Sequence, residues 1–140
     1  MEQQLYNWTC SVCSYTWVIN STGVDPNLTR DAAARIIGYP NCVNETYGLM
    51  SADCMIQAFL HYGLKAKQGW YTFGEAHSIC SAHTGVINPI GMYHFMAIRG
   101  VRDGNIWVAN SAPGYRGITD DLDHFDYQEL GPTQLIWIEW

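Results

Sequence analysis

The chain has 140 residues, of which 48% are apolar and 14% are aromatic, enough to build one hydrophobic core. Its formal net charge is −6 and its seven lysines and arginines are scattered, whereas a nucleic-acid partner needs a clustered basic face. We therefore predict a single domain over residues 1–140 that has no nucleic-acid partner.

The N-terminal residues lack the features of a secretory signal. Glu2 stands where a basic segment would be needed, and no apolar segment follows it. No apolar run reaches the roughly 18 residues of a membrane-spanning helix. The sequence thus predicts a cytoplasmic location and no membrane span.

The five cysteines are Cys10, Cys13, Cys42, Cys54 and Cys80. An odd number without a signal peptide argues against a disulfide framework. Cys10 and Cys13 form half of a zinc knuckle, but no second close pair follows, and Cys42 and Cys54 are too widely spaced to complete one. We predict no metal and no cofactor, with most of these thiols acting as small buried side chains.

Helical patterns fill the first half of the chain. The first predicted helix covers 10–21 and ends before Gly23, the second covers 29–37, and the third covers 51–62. The second and third begin with a capping hydroxyl. Thr72 and Glu75 form a capping box for a short fourth helix that reaches about residue 81.

Strand patterns follow in the second half. They cover 85–90, 93–101, 105–109 and 135–140, and Asp103-Gly104 marks a hairpin turn between the middle two. Helices followed by antiparallel strands predict an α+β fold in which the helices pack on one side of the sheet.

Three residues on these elements could perform nucleophilic catalysis. Cys10 begins the first helix, where the helix dipole favours a thiolate and the backbone N–H is not used within the helix. His94 opens the strand 93–101, and Asn110 follows the strand 105–109. Because the start of one antiparallel strand lies beside the end of the next, the hairpin places His94 and Asn110 side by side. This pattern predicts Cys10 as the nucleophile, His94 as the general base and Asn110 as the residue that orients His94.

The same residues resemble a known family. Residues 4–10 resemble the start of the C39-type bacteriocin-processing and C39-like peptidases, which are papain-like. These proteins carry a glutamine six residues before a cysteine that begins the first helix. They then carry a histidine at the start of a strand and an aspartate or asparagine at the end of the next one. Residues 93–100 and 105–113 are similar to that strand pair, so the resemblance spans nearly the whole chain.

The resemblance implies a papain-fold cysteine peptidase with the catalytic triad Cys10, His94 and Asn110. It also implies that Gln4 supplies a side-chain oxyanion donor beside the backbone N–H of Cys10. Trp8, two residues before the nucleophile, and Tyr93, next to the histidine, would line the substrate groove.

Compact C39-like domains similar to this one occur as N-terminal modules of phage endolysins. The resemblance therefore implies a peptidoglycan stem or cross-bridge peptide as substrate, a host cytoplasm as location before lysis, and a separate C-terminal cell-wall-binding domain. The chain departs from the family at Ser11, where glycine is usual. It also has Asn110-Ser-Ala-Pro113 where the bacteriocin-processing members have Asp-Pro, which disfavours leader-peptide processing.

Three alternatives remain open at this point. One is a leader-peptide or general protein-processing protease with the same chemistry. A second is a catalytically inactive peptidase-like domain that binds a peptide. A third is a zinc or redox protein that uses Cys10 and Cys13.

Overall fold

The computed structural model describes residues 10–89, 94–109, 119–121 and 132–139. The helices in these ranges are α1 (Cys10–Thr22), α2 (Arg30–Ile37), α3 (Ala52–Leu60) and α4 (Phe73–Ala82). The strands are β1 (Val43–Asn44), β2 (Gly48–Leu49), β3 (Ala66–Tyr71), β4 (Gly85–Pro89), β5 (Met96–Arg102), β6 (Asn105–Ala109), β7 (Thr119–Asp121) and β8 (Thr133–Ile138). Among the described residues, no helix has both the length and the apolar character needed to cross a membrane.

The predicted helix caps are confirmed. Thr29 and Ser51 each accept a hydrogen bond from a backbone N–H in the first turn of α2 and α3. Thr72 and Glu75 form the complete capping box of α4. Gly38 ends α2 with a φ of 118°, a left-handed conformation that glycine adopts without a steric cost. Local side-chain chemistry therefore sets the N-terminal ends of α2, α3 and α4.

Within the described residues, the larger sheet has six strands in the order β3-β8-β4-β5-β6-β7, and all neighbouring pairs are antiparallel. The predicted hairpin between β5 and β6 is confirmed, because Asp103 and Gly104 both have positive φ values, 54° and 79°. Together, the helices and this antiparallel sheet confirm the predicted α+β fold class. The strands β3 and β7 and the small β1–β2 hairpin were not predicted.

Three predicted boundaries were wrong. The helix α3 ends at Leu60, because the chain turns at Gly63, which has a φ of 75°. After this turn the Leu64 N–H donates to the Phe59 carbonyl. The strand β8 covers Thr133–Ile138 rather than 135–140, in register with β3. The strand β5 begins at Met96, so His94 precedes the strand instead of opening it.

Helices cover both faces of the sheet, whereas we predicted them on one side. Successive strand residues point to opposite faces, and both sets are buried here. The set on the α1–α3 side includes Val86, Ala97, Ala109, Ile136 and Ile138. The set on the α4 side includes Ile87, Met96, Ile98, Val108 and Leu135, with Ala76 and Cys80 from α4. The sheet is thus a middle layer, which explains why its strands are apolar on both sides.

The helix α1 is buried on nearly all sides, unlike a surface helix with one apolar stripe. The Tyr15 hydroxyl donates to the Ala58 carbonyl of α3 at 2.6 Å, and its ring lies 5.2 Å from the Phe59 ring. The same helix packs against β4 and β5. A helix held on two sides gives its first residue, Cys10, a fixed position.

A disulfide joins Cys42 and Cys54, so the expectation that the cysteines form no disulfide was wrong for this pair. The two residues are 12 positions apart, but the β1–β2 hairpin returns the chain to the start of α3. The Met50 N–H donates to the Cys42 carbonyl at 2.8 Å and closes this loop. The two Cα atoms therefore lie 5.7 Å apart, within the usual range for a disulfide.

Reduction of this disulfide is expected to lower the free energy of unfolding by about 2–3 kcal/mol, because the unfolded chain regains the entropy of an open loop. Thiol titration in denaturant should count three thiols before reduction, for Cys10, Cys13 and Cys80, and all five afterwards. Cys80→Ala is the matched control and should keep the same sensitivity to reductant. Five thiols before reduction would contradict the disulfide.

Candidate active site

Cys10 is the first residue of α1, as predicted. Its side chain is only 6% exposed. The first N–H groups of a helix have no partner within the helix and carry partial positive charge. No acidic residue in the first turn of α1 offsets this charge. The sulfur therefore lies at the end of the helix that favours an anion.

Two opposing effects act on the thiol of Cys10. Burial raises its pKa, since a thiolate loses hydration there, and this is the larger effect. The backbone N–H groups of Phe95, Ser11 and Cys10 itself lower the pKa. The net shift is upward, which favours the protonated thiol. This differs from the thiolate that the helix position alone suggested.

The segment that carries His94 reaches the Cys10 sulfur. The Phe95 N–H donates to Cys10 Sγ at 3.4 Å, across 85 positions of sequence. This N–H belongs to the peptide bond between His94 and Phe95, so the backbone of His94 lies within one peptide unit of the sulfur. The structure thereby brings together two parts of the predicted site that are far apart in the sequence.

Two further side chains, which the sequence analysis did not identify, hold the same segment. The Ser14 hydroxyl of α1 donates to the Phe95 carbonyl at 2.9 Å. The side-chain oxygen of Asn88 in β4 accepts the His94 N–H at 3.3 Å. One signal was available for Ser14, since it lies four residues after Cys10 and therefore on the same face of the helix. Nothing in the sequence pattern indicated Asn88.

The remaining predicted site residues lie outside the described ranges. They are the oxyanion donor Gln4, the groove residues Trp8 and Tyr93, and the orienting residue Asn110. The described register ends with Ala97 opposite Ala109, the residue before Asn110. The catalytic triad as a set therefore stays a prediction.

The other reduced thiols lie in different environments. Cys13 is 1% exposed, one turn after Cys10 on α1, and is not disulfide-bonded. Cys80 lies in the core on the α4 side, where burial raises its pKa to about 12. In the part of the chain that the structure describes, no group of three or more His, Cys, Asp or Glu side chains could hold a metal ion.

Two surface cavities among the described residues are not lined by Cys10 or His94. A cavity of about 280 Å³ lies beside the bulge of β5, and one of about 250 Å³ lies beside α2. The first is lined by Arg99, Gly100, Val101, Arg102 and Trp107, and the second by Asp31, Ala34, Arg35 and Tyr39. Neither cavity is therefore part of the candidate site at Cys10.

The structure of this chain is similar to the crystal structure of a double glycine motif protease from an AMS/PCAT transporter in complex with the leader peptide, with a TM-score of 0.68. The fold is that of a C39-like peptidase. The similarity covers 99% of this chain and 89% of the other at 16% sequence identity, and it confirms the predicted papain-like architecture. No protein-family model matches the chain, and no curated protein sequence matches it.

The reactivity of Cys10 gives a direct test of its electrostatics. Iodoacetamide reacts with the thiolate, so alkylation of native Cys10 should be slow near pH ~6 and should rise as the pH approaches the raised pKa. Cys80 is a second buried thiol, and burial raises its pKa to about 12, so it serves as the internal reference for a thiol without a helix N-terminus. Rapid and complete alkylation of Cys10 near pH ~6 would show instead that its pKa is depressed.

Proposed function

We propose that this chain is a cysteine peptidase that cleaves peptide bonds through a covalent acyl-enzyme. The observation that carries the proposal is the hydrogen bond from the Phe95 N–H to Cys10 Sγ. It joins a thiol at a helix N-terminus to the segment that carries a histidine. A nucleophile beside a base is the arrangement that acyl transfer requires. The C39-like fold supports the same proposal, since a protease has a similar fold.

In the proposed first step, His94 takes the proton from the Cys10 thiol as the sulfur attacks the carbonyl carbon of the peptide. A C–S bond forms, and the carbonyl oxygen becomes an oxyanion. Donors at this position stabilise the developing charge. We assign that role to the backbone N–H of Cys10 and to the Gln4 side chain.

In the steps that follow, His94 gives its proton to the amine, and the C–N bond breaks to leave a thioester on Cys10. His94 then takes a proton from water, which attacks the thioester and releases the acid. The sulfur leaves as the thiolate and recovers the proton from His94. Asn110 holds the His94 ring in the orientation that these transfers need.

For the substrate we propose peptidoglycan stem or cross-bridge peptides, in an endolysin module with a separate cell-wall-binding domain. This rests on the resemblance of the sequence to endolysin modules. A leader peptide is the second candidate, favoured by the similarity to a protease whose structure contains one.

The test is hydrolysis of synthetic peptides of both classes, followed by mass spectrometry of the products. One set reproduces cell-wall stem and cross-bridge peptides, and the other reproduces leader peptides that end in two glycines. We expect cleavage of one set, loss of cleavage after alkylation with iodoacetamide, and full retention in a metal chelator. Cleavage that survives alkylation would contradict a thiol mechanism. Binding without cleavage would favour the inactive peptide-binding domain instead.

A further inference from the structure

Side chains hold the segment of residues 94–95 beside the site. The described pairing of β4 with β5 ends at Ile87 opposite Met96. Beyond it, the His94 N–H donates to the side chain of Asn88 at 3.3 Å. The side-chain amide of Asn88 in turn donates to the Gln134 side chain on β8 at 3.4 Å. The neighbouring strand therefore holds the Asn88 side chain in place.

The helix α1 holds the other side of the segment through two side chains. Cys10 Sγ accepts the Phe95 N–H and the Ser14 hydroxyl donates to the Phe95 carbonyl. Cys10 and Ser14 are four positions apart and so lie on one face of the helix. The two contacts attach both the backbone N–H and the carbonyl of Phe95 to α1. They therefore fix the distance between the Cys10 sulfur and the backbone of the neighbouring His94.

Ser14 is buried, at 0% exposed, so its hydroxyl needs a hydrogen-bond partner within the protein. Ser14 reaches across 81 positions of sequence to make it. Thr16, also buried on α1, bonds instead to the Val12 carbonyl of its own helix. A buried hydroxyl on this helix can therefore be satisfied locally, whereas the hydroxyl of Ser14 contacts the segment of the proposed base.

We infer that Ser14 is a positioning residue which, with Asn88 on the other side of His94, holds the histidine segment against the Cys10 sulfur for the reaction proposed above. The inference rests on that proposed function. Ser14 does not contact the sulfur in any described bond and acts through the Phe95 peptide. A misplacement of about 1 Å can reduce a rate by about 100-fold, so the contact is expected to affect the rate more than substrate binding.

The experiment compares Ser14→Ala with the wild-type chain and with Thr16→Val, which removes a buried hydroxyl from the same helix. In Ser14→Ala we expect kcat to fall by about 10- to 100-fold with KM nearly unchanged. We also expect the pH profile of Cys10 alkylation by iodoacetamide to move to higher pH, because the Phe95 N–H that lowers the pKa of Cys10 is no longer held in place. Thr16→Val should leave both measurements at wild-type values.

Asn88 supplies the second pair of variants, which decides the inference if Ser14→Ala does not fold. Asn88→Ala removes the acceptor for the His94 N–H and should reduce kcat and move the alkylation profile in the same direction. Asn88→Asp keeps an oxygen at that position and should recover most of kcat. Lower thermal stability in Ser14→Ala or Asn88→Ala, with kcat and the alkylation profile unchanged, would overturn the inference.

The two readouts separate this inference from the proposed function. Alkylation of Cys10 requires no substrate, so it reports on the position of the Phe95 peptide even if the wild-type chain cleaves no peptide. In that case the proposed function fails, and a shifted profile in Ser14→Ala still supports the coupling of Ser14 to Cys10. An active wild-type chain with an unshifted profile and an unchanged kcat in Ser14→Ala overturns the inference alone.

Discussion

Cys10→Ala is expected to reduce kcat/KM by about 10⁴-fold or more, because no acyl-enzyme can form without the sulfur. The fold should persist, since the change removes a single atom from the start of α1 and leaves the disulfide and both cores in place. Hydrolysis of the cleaved peptide and thermal unfolding, measured on the same sample, check both statements.

Two further variants make this test specific. Cys10→Ser keeps an acceptor for the Phe95 N–H and should be as inactive as Cys10→Ala, which would exclude a displaced segment as the cause. Cys13→Ala is the matched control, because Cys13 is a second buried thiol on the same helix, and it should retain most of the activity. Loss of turnover in Cys13→Ala, with activity retained in Cys10→Ala, would show that the assignment of the nucleophile is wrong.

His94→Ala is expected to reduce kcat by about 10³-fold, a typical contribution of general acid–base catalysis. The reason is specific to this site. Burial raises the pKa of Cys10, so the protonated thiol depends on a base at the moment of attack. The residual rate should increase with pH as the thiolate forms without assistance.

His61→Ala is the control for this variant, because His61 is an exposed residue at the end of α3. It should leave kcat and its pH dependence unchanged. Equal turnover of His94→Ala and the wild-type chain across the pH range would remove His94 from the mechanism.

Local chemistry explains which parts of the fold the sequence predicted. The caps at Thr29, Ser51 and Thr72 and the turn at Asp103-Gly104 involve only neighbouring residues, and each is confirmed. The strand β3 was not predicted because, among the described strands, it lies at the edge of the sheet and pairs only with β8. Its exposed residues, including Lys67 and Trp70, do not follow an alternating pattern.

Long-range contacts explain the errors. The disulfide of Cys42 and Cys54 depends on the β1–β2 hairpin, whose two-residue strands are too short to leave a periodic pattern in the sequence. The helix α4 lies on the face of the sheet opposite to α1–α3, because the chain passes through the edge strand β3 between α3 and α4. Apolar residues on both faces of β4, β5 and β8 were the available signal.

The sequence indicates only those parts of the candidate site that depend on local structure. The position of Cys10 follows from the helix start, which the sequence shows directly. The Phe95 N–H contacts Cys10 Sγ, while the roles of Cys10 and His94 stay predictions. The side chains of Ser14 and Asn88 are defined only by tertiary packing, and the raised pKa of Cys10 follows from burial that no short motif encodes.

The most direct test of the central claim is to react the native chain with a peptidyl chloromethyl ketone and to locate the adduct by mass spectrometry. The reagent places an electrophilic carbon where the scissile bond would lie and is attacked by the nucleophile. We predict one adduct, on Cys10, that is absent in Cys10→Ser and much slower to form in His94→Ala. An adduct on Cys13 or Cys80, or equal labelling of all three thiols, would contradict Cys10 as the nucleophile of a cysteine peptidase.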